Sequence, residues 1–297
     1  AATLARRWRA HVERRALLLA RLTELVLALN AEAMVPVLLK GARSLWTGEP
    51  EWRSMRDLDV LVPGEAQERA QAMAREMGYT EWHEQGKGFH HGTNLYRPDM
   101  PGWIEIHRRA ATGAADILLP TPQLVETSVS IVRGGAEAKV LRPDYDLLHA
   151  LAHHHLGHRG ARDGVIDLKG LVEFADQFAR LGDDERVALG ELVARDPRRI
   201  AMLDLWLASA HERLGLTIRA PFALVADAER RARRIAQGGS GTAGNIVSEI
   251  GLATNGERLR RAVGGQSLKG RMRLRFRIFR SVFRVAKLRG ALRGPRP

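Results

Sequence analysis

The chain has 297 residues, which predicts one large domain or two modest ones, and its hydrophobic content of 45% is ordinary for a globular protein. It has no cysteine, which excludes a disulfide framework and thiol chemistry, and no apolar run approaches the ~18 residues of a membrane span. Most of the net charge of +13 lies in residues 266–297, with eleven Lys or Arg and no Asp or Glu, so the protein as a whole is not a general nucleic-acid binder.

The first predicted elements are a long helix and a short strand that ends at a glycine. Residues 3–33 are predicted as one helix, because aliphatic residues recur on one face at Leu18, Leu22, Leu25 and Leu29. Residues 35–40 form a hydrophobic strand that runs into Gly41, and the five residues after it can start a helix. This order lets backbone N–H groups approach a phosphate at the helix N-terminus, where Lys40 and Arg43 would add positive charge.

A strand with two acids follows. Leu58, Val60 and Val62 alternate with Asp57, Asp59 and Leu61, and the run stops at Pro63-Gly64, which predicts a short strand. The two-residue period of a strand places Asp57 and Asp59 on the same face, ~7 Å apart. Oxygen ligands of this kind suit Mg²⁺ or Mn²⁺. The alternative is a strand end with two solvated acids, because Asp-x-Asp alone is a weak motif.

The next elements complete a small mixed sheet. A helix is predicted over 64–77, ended by Gly78, and strands over 79–83, 89–96 and 103–108. In the last strand Glu105 and His107 share one face, so Glu105 would supply a third carboxylate beside the pair. Residues 130–132 and 139–141, joined through Arg133-Gly-Gly135, are predicted as a hairpin.

These motifs together resemble a known family. Lys40-Gly41, Arg53-x-x-x-Asp57-x-Asp59, Gly78-Tyr79 and Ile104-Glu-Ile-His107 are similar to the uncharacterised nucleotidyltransferase family of the DNA polymerase β superfamily. The resemblance also reaches Leu147-Leu-His149 and Asp167-Leu168, and it covers roughly residues 15–180.

The resemblance implies a site for metal and nucleotide. Asp57, Asp59 and Glu105 would hold metal, and the triphosphate would lie on Gly41 and its neighbours Lys40 and Ser44, with Arg53 neutralising its charge. The sequence departs from the superfamily at the turn, where many members have Gly-Ser. Here Gly41 is followed by Ala42, and the nearest serine is Ser44.

The expected function is transfer of a nucleoside monophosphate from an NTP, with ATP expected, to an acceptor hydroxyl or phosphate by a two-metal mechanism. Asp57 and Asp59 would hold both Mg²⁺ or Mn²⁺ ions, and Glu105 would help to hold one and to take the acceptor's proton. The acceptor stays open among a sugar, a peptide or protein hydroxyl, an antibiotic and an RNA end. The alternatives are phosphoryl transfer at the same site and a non-catalytic binding module.

After Pro143 the pattern becomes helical. Helices are predicted over 143–157, 164–181, 184–195, 197–214, 222–236 and, after a glycine-rich linker at 238–244, over 245–263. We therefore expect an α+β protein in three parts. Residues 1–142 are the nucleotidyltransferase-like domain, residues 143–236 are an all-helical domain, and residues 237–297 contain the linker, a helix and a basic amphipathic tail.

Five histidines lie close together in the first of these helices: His149, His153, His154, His155 and His158. Pairs spaced by four residues can bind zinc on a helix. However, no Glu follows the first histidine as in metalloproteases, and no His-Asp pair indicates a phosphohydrolase. The alternative is one or two core histidines, with one of them placed to contact substrate in a cleft.

The tail has apolar residues at helical steps, surrounded by arginines: Met272, Phe276, Phe279, Phe283 and Ala286. A basic amphipathic helix suits an anionic membrane surface, an acidic partner or nucleic acid. We favour the first two, because the tail lacks the Tyr and Trp that would stack on bases. The alternative is that the phenylalanines pack on the helical domain. We expect a cytoplasmic protein that the tail can hold at the membrane periphery.

Overall fold

The computed structural model describes residues 2–62, 64, 66–81, 91–111, 113–157 and 166–236, all within the unit Ala1–Ser240. The predicted linker at 238–244, the helix at 245–263, the tail at 266–297 and His158 lie outside the described residues. Among the described helices, none combines the length and the apolar character that a membrane crossing requires.

The described strands form one mixed sheet of seven: β1 Val37–Leu38, β2 Asp57–Leu61, β3 Thr80–Glu81, β4 His91–Tyr96, β5 Trp103–His107, β6 Val129–Arg133 and β7 Ala136–Val140. Their spatial order is β3-β4-β5-β2-β1-β7-β6. β2 pairs in parallel with β5 and antiparallel with β1, while β1 pairs in parallel with β7. The predicted hairpin is confirmed, and its second strand extends the sheet by pairing with β1.

The described helices are α1 Ala2–Ala31, α2 Lys40–Thr47, α3 Ala66–Glu76, α4 Gly113–Leu118, α5 Thr121–Glu126, α6 Pro143–Ala152, α7 Leu168–Arg180, α8 Asp183–Ala194, α9 Pro197–Leu214 and α10 Ala226–Ala236. A π-helical turn, His153–Gly157, follows α6 directly. The predicted α+β class is confirmed. The helices α4 and α5 were not predicted, because six residues are too few to show a helical period.

The two faces of the sheet pack against different layers. Leu58 and Val60 of β2 are fully buried in one cluster with Leu22 of α1 and Ala70 of α3. Leu61 belongs to the other cluster, which contains α4 to α10. Because side chains alternate along a strand, the acids of β2 lie on the face that looks toward the later helices. The proposed domain boundary at residue 142 stays a prediction.

Seven described glycines have the positive φ angles that side chains disfavour, and three of them mark predicted turns or helix ends. Gly78, φ 86°, follows the end of α3 as predicted, and Gly134 and Gly135, φ 56° and 78°, form the tight turn of the β6–β7 hairpin. The structure differs from the prediction at Gly41. The helix α2 begins at Lys40, so Gly41 lies inside its first turn rather than in a turn before it.

Candidate active site

Strand register brings two of the predicted carboxylates side by side. In the parallel pair of β2 and β5, Asp59 lies directly opposite Glu105, and Asp57 lies opposite Trp103. Directly opposed residues have Cβ atoms about 5 Å apart on the same face of a sheet. The parallel pairing of β2 and β5 therefore creates an acidic site that neither strand has alone.

Asp59 is a buried carboxylate with two partners at one of its oxygen atoms. Its side chain is 1% exposed, and its Oδ1 atom accepts from Lys40 Nζ at 2.7 Å and lies 3.0 Å from His107 Nε2. Burial by itself would raise the pKa of Asp59, but the Lys40 ammonium and the His107 contact outweigh it and hold the pKa well below its usual range. Asp59 is therefore an anion at neutral pH.

The pKa of Glu105 is shifted in the opposite direction. The indole Nε1 of Trp103 donates to its Oε1 atom at 3.0 Å, while its Oε2 atom lies 3.7 Å from His107 Nε2. Burial and the negative charge of Asp59 raise the pKa of Glu105. The two neighbouring carboxylates thus differ in proton affinity, with Glu105 the stronger base of the pair.

Ligand atoms of Asp59, Glu105 and His107 all lie within 4.8 Å of one another, which makes them a candidate metal group. Two carboxylates and an imidazole offer hard oxygen ligands and one nitrogen, a set that fits Mn²⁺ or Mg²⁺ and also admits Zn²⁺. The sequence pattern places His107 on the same face as Glu105 but does not predict it as a metal ligand. Asp57 lies on the same face but outside this group, so its part in holding metal stays a prediction.

Lys40 is positioned by an unusual backbone. Its φ angle is 45°, a left-handed conformation that non-glycine residues rarely adopt, at the junction of β1 and α2. Leu39 N–H donates to the Asp59 carbonyl at 3.0 Å, which fixes this junction against β2. Such strain persists only where surrounding contacts enforce it, and here it directs the ammonium group onto Asp59.

Gly41 and Ser44 have structural contacts. A Cβ atom at Gly41 would lie 3.1 Å from Met55 Cβ and 3.2 Å from the Asp57 carbonyl oxygen, so the glycine allows α2 to pack closely on the start of β2. The Ser44 hydroxyl donates to the Pro50 carbonyl at 3.3 Å. Their predicted contact with a triphosphate stays a prediction.

Two arginines near the site pair with acids of the later helices. Arg53 Nη2 lies 3.0 Å from Glu173 Oε2 on α7, and both side chains are largely buried. Arg43 Nε lies 3.3 Å from Asp146 Oδ2 on α6. With Lys40 they place three cations on the side of β2 toward β1 and α2, where the resemblance predicts the triphosphate.

The histidine cluster gives one buried residue near the carboxylates. His149 Nε2 lies 3.0 Å from the Ala110 carbonyl oxygen, and burial lowers its pKa, so the ring is neutral and donates from Nε2. His149 lies in the electrostatic field of Lys40 and Asp59. Within the described ranges, no three histidines of the cluster converge as metal ligands.

A protein-family model, described as uncharacterised nucleotidyltransferase, matches residues 1–211 of the sequence. No curated protein matches the chain. Several solved structures are similar to it at low identity. One is a solution structure of the antibiotic-resistance factor ANT(2″)-Ia, with 14% identity over 62% of this chain and 94% of that chain and a TM-score of 0.40.

The second is a crystal structure of ANT(2″)-Ia in complex with adenylyl-2″-tobramycin, with 14% identity over 60% of this chain and 97% of that chain and a TM-score of 0.41. The third is a crystal structure of an antigenic nucleotidyltransferase-like protein from Paracoccidioides brasiliensis, with 16% identity over 63% of this chain and 91% of that chain and a TM-score of 0.35. These similarities are too loose to assign an activity to this chain.

Proposed function

Because the chain belongs to the uncharacterised nucleotidyltransferase family, we propose that it transfers a nucleoside monophosphate from an NTP, with ATP as the expected donor, to an acceptor hydroxyl or phosphate. The observation that carries the proposal is the convergence of Asp59, Glu105 and His107 within 4.8 Å beside the ammonium group of Lys40. An acidic group flanked by a cation is what a metal-dependent transfer of a phosphate ester requires.

The carboxylates are suited to hold a divalent ion. Asp59 is ionised at neutral pH, and Glu105 lies opposite it, so negative charge is concentrated at one point of the sheet. A bound Mg²⁺ or Mn²⁺ would supply Lewis-acid stabilisation of the phosphate and of the acceptor oxygen. In our proposal Asp57, two residues before Asp59 on the same face, is the additional ligand for a second ion.

The triphosphate is assigned to the side of β2 that carries the cations. Lys40 and Arg43 lie on the first turn of α2, and Arg53 lies in the loop before β2. Each of them faces a carboxylate, namely Asp59, Asp146 or Glu173. We infer that Arg53 exchanges Glu173 for phosphate oxygens when the nucleotide binds, because arginine pairs with both groups in the same bidentate way.

The chemical step is an in-line displacement. The acceptor oxygen forms a bond to the α-phosphorus, and the bond from that phosphorus to the bridging oxygen breaks, so pyrophosphate leaves with the electron pair. The acceptor's proton passes to the Glu105 carboxylate, which lies within the acidic group, and then to solvent. Lys40 and Arg53 hold the phosphates in line.

The test is transfer of label from ATP in the presence of Mg²⁺ or Mn²⁺. Purified protein is incubated with a cell extract that supplies candidate acceptors and with ATP labelled at the α- or the γ-phosphate. The labelled product is then isolated. Transfer of the α-label with release of pyrophosphate supports the proposal, whereas transfer of the γ-label alone means that the site is a phosphotransferase. Asp57→Asn, Asp59→Asn and Glu105→Gln should each abolish transfer, and near-normal turnover in any of them contradicts its assigned role.

A further inference from the structure

The face of the sheet that carries the carboxylates continues onto β4. Asn94 lies directly opposite Glu105, which lies opposite Asp59, so the three residues form one row across neighbouring strands. The neighbouring Leu95 is fully buried in the core on the α1 side, which confirms that Asn94 faces the carboxylates. The Oδ1 atom of Asn94 is buried and has no hydrogen-bond partner in the described part of the chain. A buried hydrogen-bond acceptor without a donor lowers the stability of the folded state. The Asn94 oxygen beside Glu105 therefore suggests a ligand that donates a hydrogen bond to it.

A second row on the same face is aromatic. Tyr96 lies opposite Trp103, and Trp103 lies opposite Asp57. Both rings are half-buried, and the Trp103 indole is held in place by its hydrogen bond to Glu105. The register places the two aromatic residues next to each other, and the Trp103 indole, fixed by its hydrogen bond, can pack against a flat or ring-shaped molecule.

Charge divides the site into two halves. The cations assigned to the triphosphate lie on the side of β1 and α2, whereas the site-facing residues described in β2, β4 and β5 include neither Lys nor Arg. This half instead offers acceptors, namely the Asn94 amide oxygen and the carboxylates of Asp57 and Glu105. A ligand here is therefore one that supplies hydrogen-bond donors to these oxygens.

Resting on the proposed function, we propose that the acceptor is a neutral or cationic polyhydroxyl ring, a sugar or an amino sugar. The apolar face of the ring packs on Tyr96 and Trp103, and one hydroxyl donates to Asn94 Oδ1. A neighbouring hydroxyl then lies next to Glu105, from which it attacks the α-phosphorus of the nucleotide.

The test measures binding before any chemistry. Glucosamine, glucose, serine and a short RNA are titrated separately into the full chain at millimolar concentration, and contact is read by saturation-transfer NMR and calorimetry. We expect both sugars to bind and serine not to bind, and any RNA binding through the basic residues 266–297 to be unchanged in the variants below. Asn94→Leu should weaken sugar binding about 5- to 10-fold, because one hydrogen bond is lost, and Trp103→Leu about tenfold, because the packing surface is lost.

Matched variants separate binding from folding. Trp103→Phe keeps the ring and should retain sugar affinity within about threefold, and Trp8→Leu removes a tryptophan of α1 that is 49% exposed and should change nothing. Tyr96→Leu provides a second loss of the aromatic surface if Asn94→Leu fails to fold, which circular dichroism reports. Equal sugar affinity in wild type, Tyr96→Leu and Trp103→Leu overturns the inference.

The outcomes also separate this inference from the proposed function. If Mg²⁺–ATP binds to the wild type but neither sugar does, the acceptor assignment fails and the nucleotidyltransferase proposal stands. If α-label passes from ATP to the RNA or to serine, the acceptor assignment also fails. If Mg²⁺–ATP does not bind and no label is transferred, the proposed function fails, whatever the sugars do.

Discussion

The contact between Lys40 and Asp59 allows a quantitative test of how the site is held. The carboxylate is 1% exposed, the ammonium group is 14% exposed, and they lie 2.7 Å apart. Removing one partner of a buried ion pair costs about 3–5 kcal/mol, because the other charge stays buried. Asn at position 59 still accepts a hydrogen bond, so we expect Asp59→Asn to cost about 2–3 kcal/mol and Lys40→Met about 3 kcal/mol.

The double variant Lys40→Met/Asp59→Asn removes both charges. It should be more stable than the sum of the single effects predicts, with a coupling energy of about 2 kcal/mol. Thermal unfolding in EDTA measures this, since each kcal/mol moves Tm by about 2–4 °C for a chain of this size. Asp59→Asn should melt about 4–12 °C below wild type, and addition of Lys40→Met should cause little further loss.

Metal binding then distinguishes stability from function. Mn²⁺ should raise the Tm of the wild type, since a ligand that binds only the folded state stabilises it, and should have no such effect on either variant with Asn at position 59. If the two single costs simply add in EDTA, the ammonium group is not held by Asp59 and our description of the site is wrong. If Mn²⁺ stabilises Asp59→Asn as much as wild type, Asp59 is not a metal ligand.

Three further predictions concern other parts of the chain. Gly41→Val should lower the unfolding free energy by about 1–3 kcal/mol, because its side chain meets β2, and should weaken ATP binding, whereas Gly41→Ala should do less of both. His155 Nδ1 accepts a hydrogen bond from Trp206 at 3.4 Å, and burial lowers the pKa of His155 from 6.5 to about 4. The folded state therefore resists protonation, and its stability should fall as the pH drops from 6.5 to 4. The full pKa shift corresponds to about 3 kcal/mol of unfolding free energy, and partial exposure of the side chain reduces the expected loss to about 1–2 kcal/mol. The variant His155→Gln should not show this loss. Deleting residues 266–297 should abolish salt-sensitive binding to anionic liposomes and leave Mn²⁺ binding unchanged.

Each of these has a contrary outcome. Unchanged stability and ATP affinity in Gly41→Val would mean that α2 does not pack closely on β2 and that the phosphates lie elsewhere. An identical acid-side slope in urea unfolding of wild type and His155→Gln would assign that slope to other groups. Unfolding or precipitation after deletion of 266–297 would show that the tail belongs to the core.

Part of the site follows from local pattern. The alternation in 57–62 and in 103–108 predicted two strands and placed each acid on a face, because side-chain direction in a strand depends only on position parity. Gly78 and the Gly134-Gly135 pair marked a helix end and a turn, because only glycine adopts these φ angles without cost. Those predictions needed no knowledge of distant contacts, and the structure confirms them.

Other features escaped local reasoning. Asn94 carries no motif, and its relation to Glu105 exists only through the register between β4 and β5. Gly41 was assigned to a phosphate turn because strand, glycine and helix occur in that order. Its burial against Met55 depends on how α2 packs, which the order of elements does not specify.

The sequence by itself determined the α+β class, the strands and which residues share a face, since these depend on neighbours within a few positions. Only the tertiary structure decided that β5 pairs in parallel with β2, which sets Glu105 beside Asp59 although 46 positions separate them in the numbering. It also decided that Lys40 and His107 compensate the buried charge of Asp59. A charge inside a protein is stable only with partners, and those partners come from other strands and helices, so their identity is fixed when the sheet and its covering helices pack together.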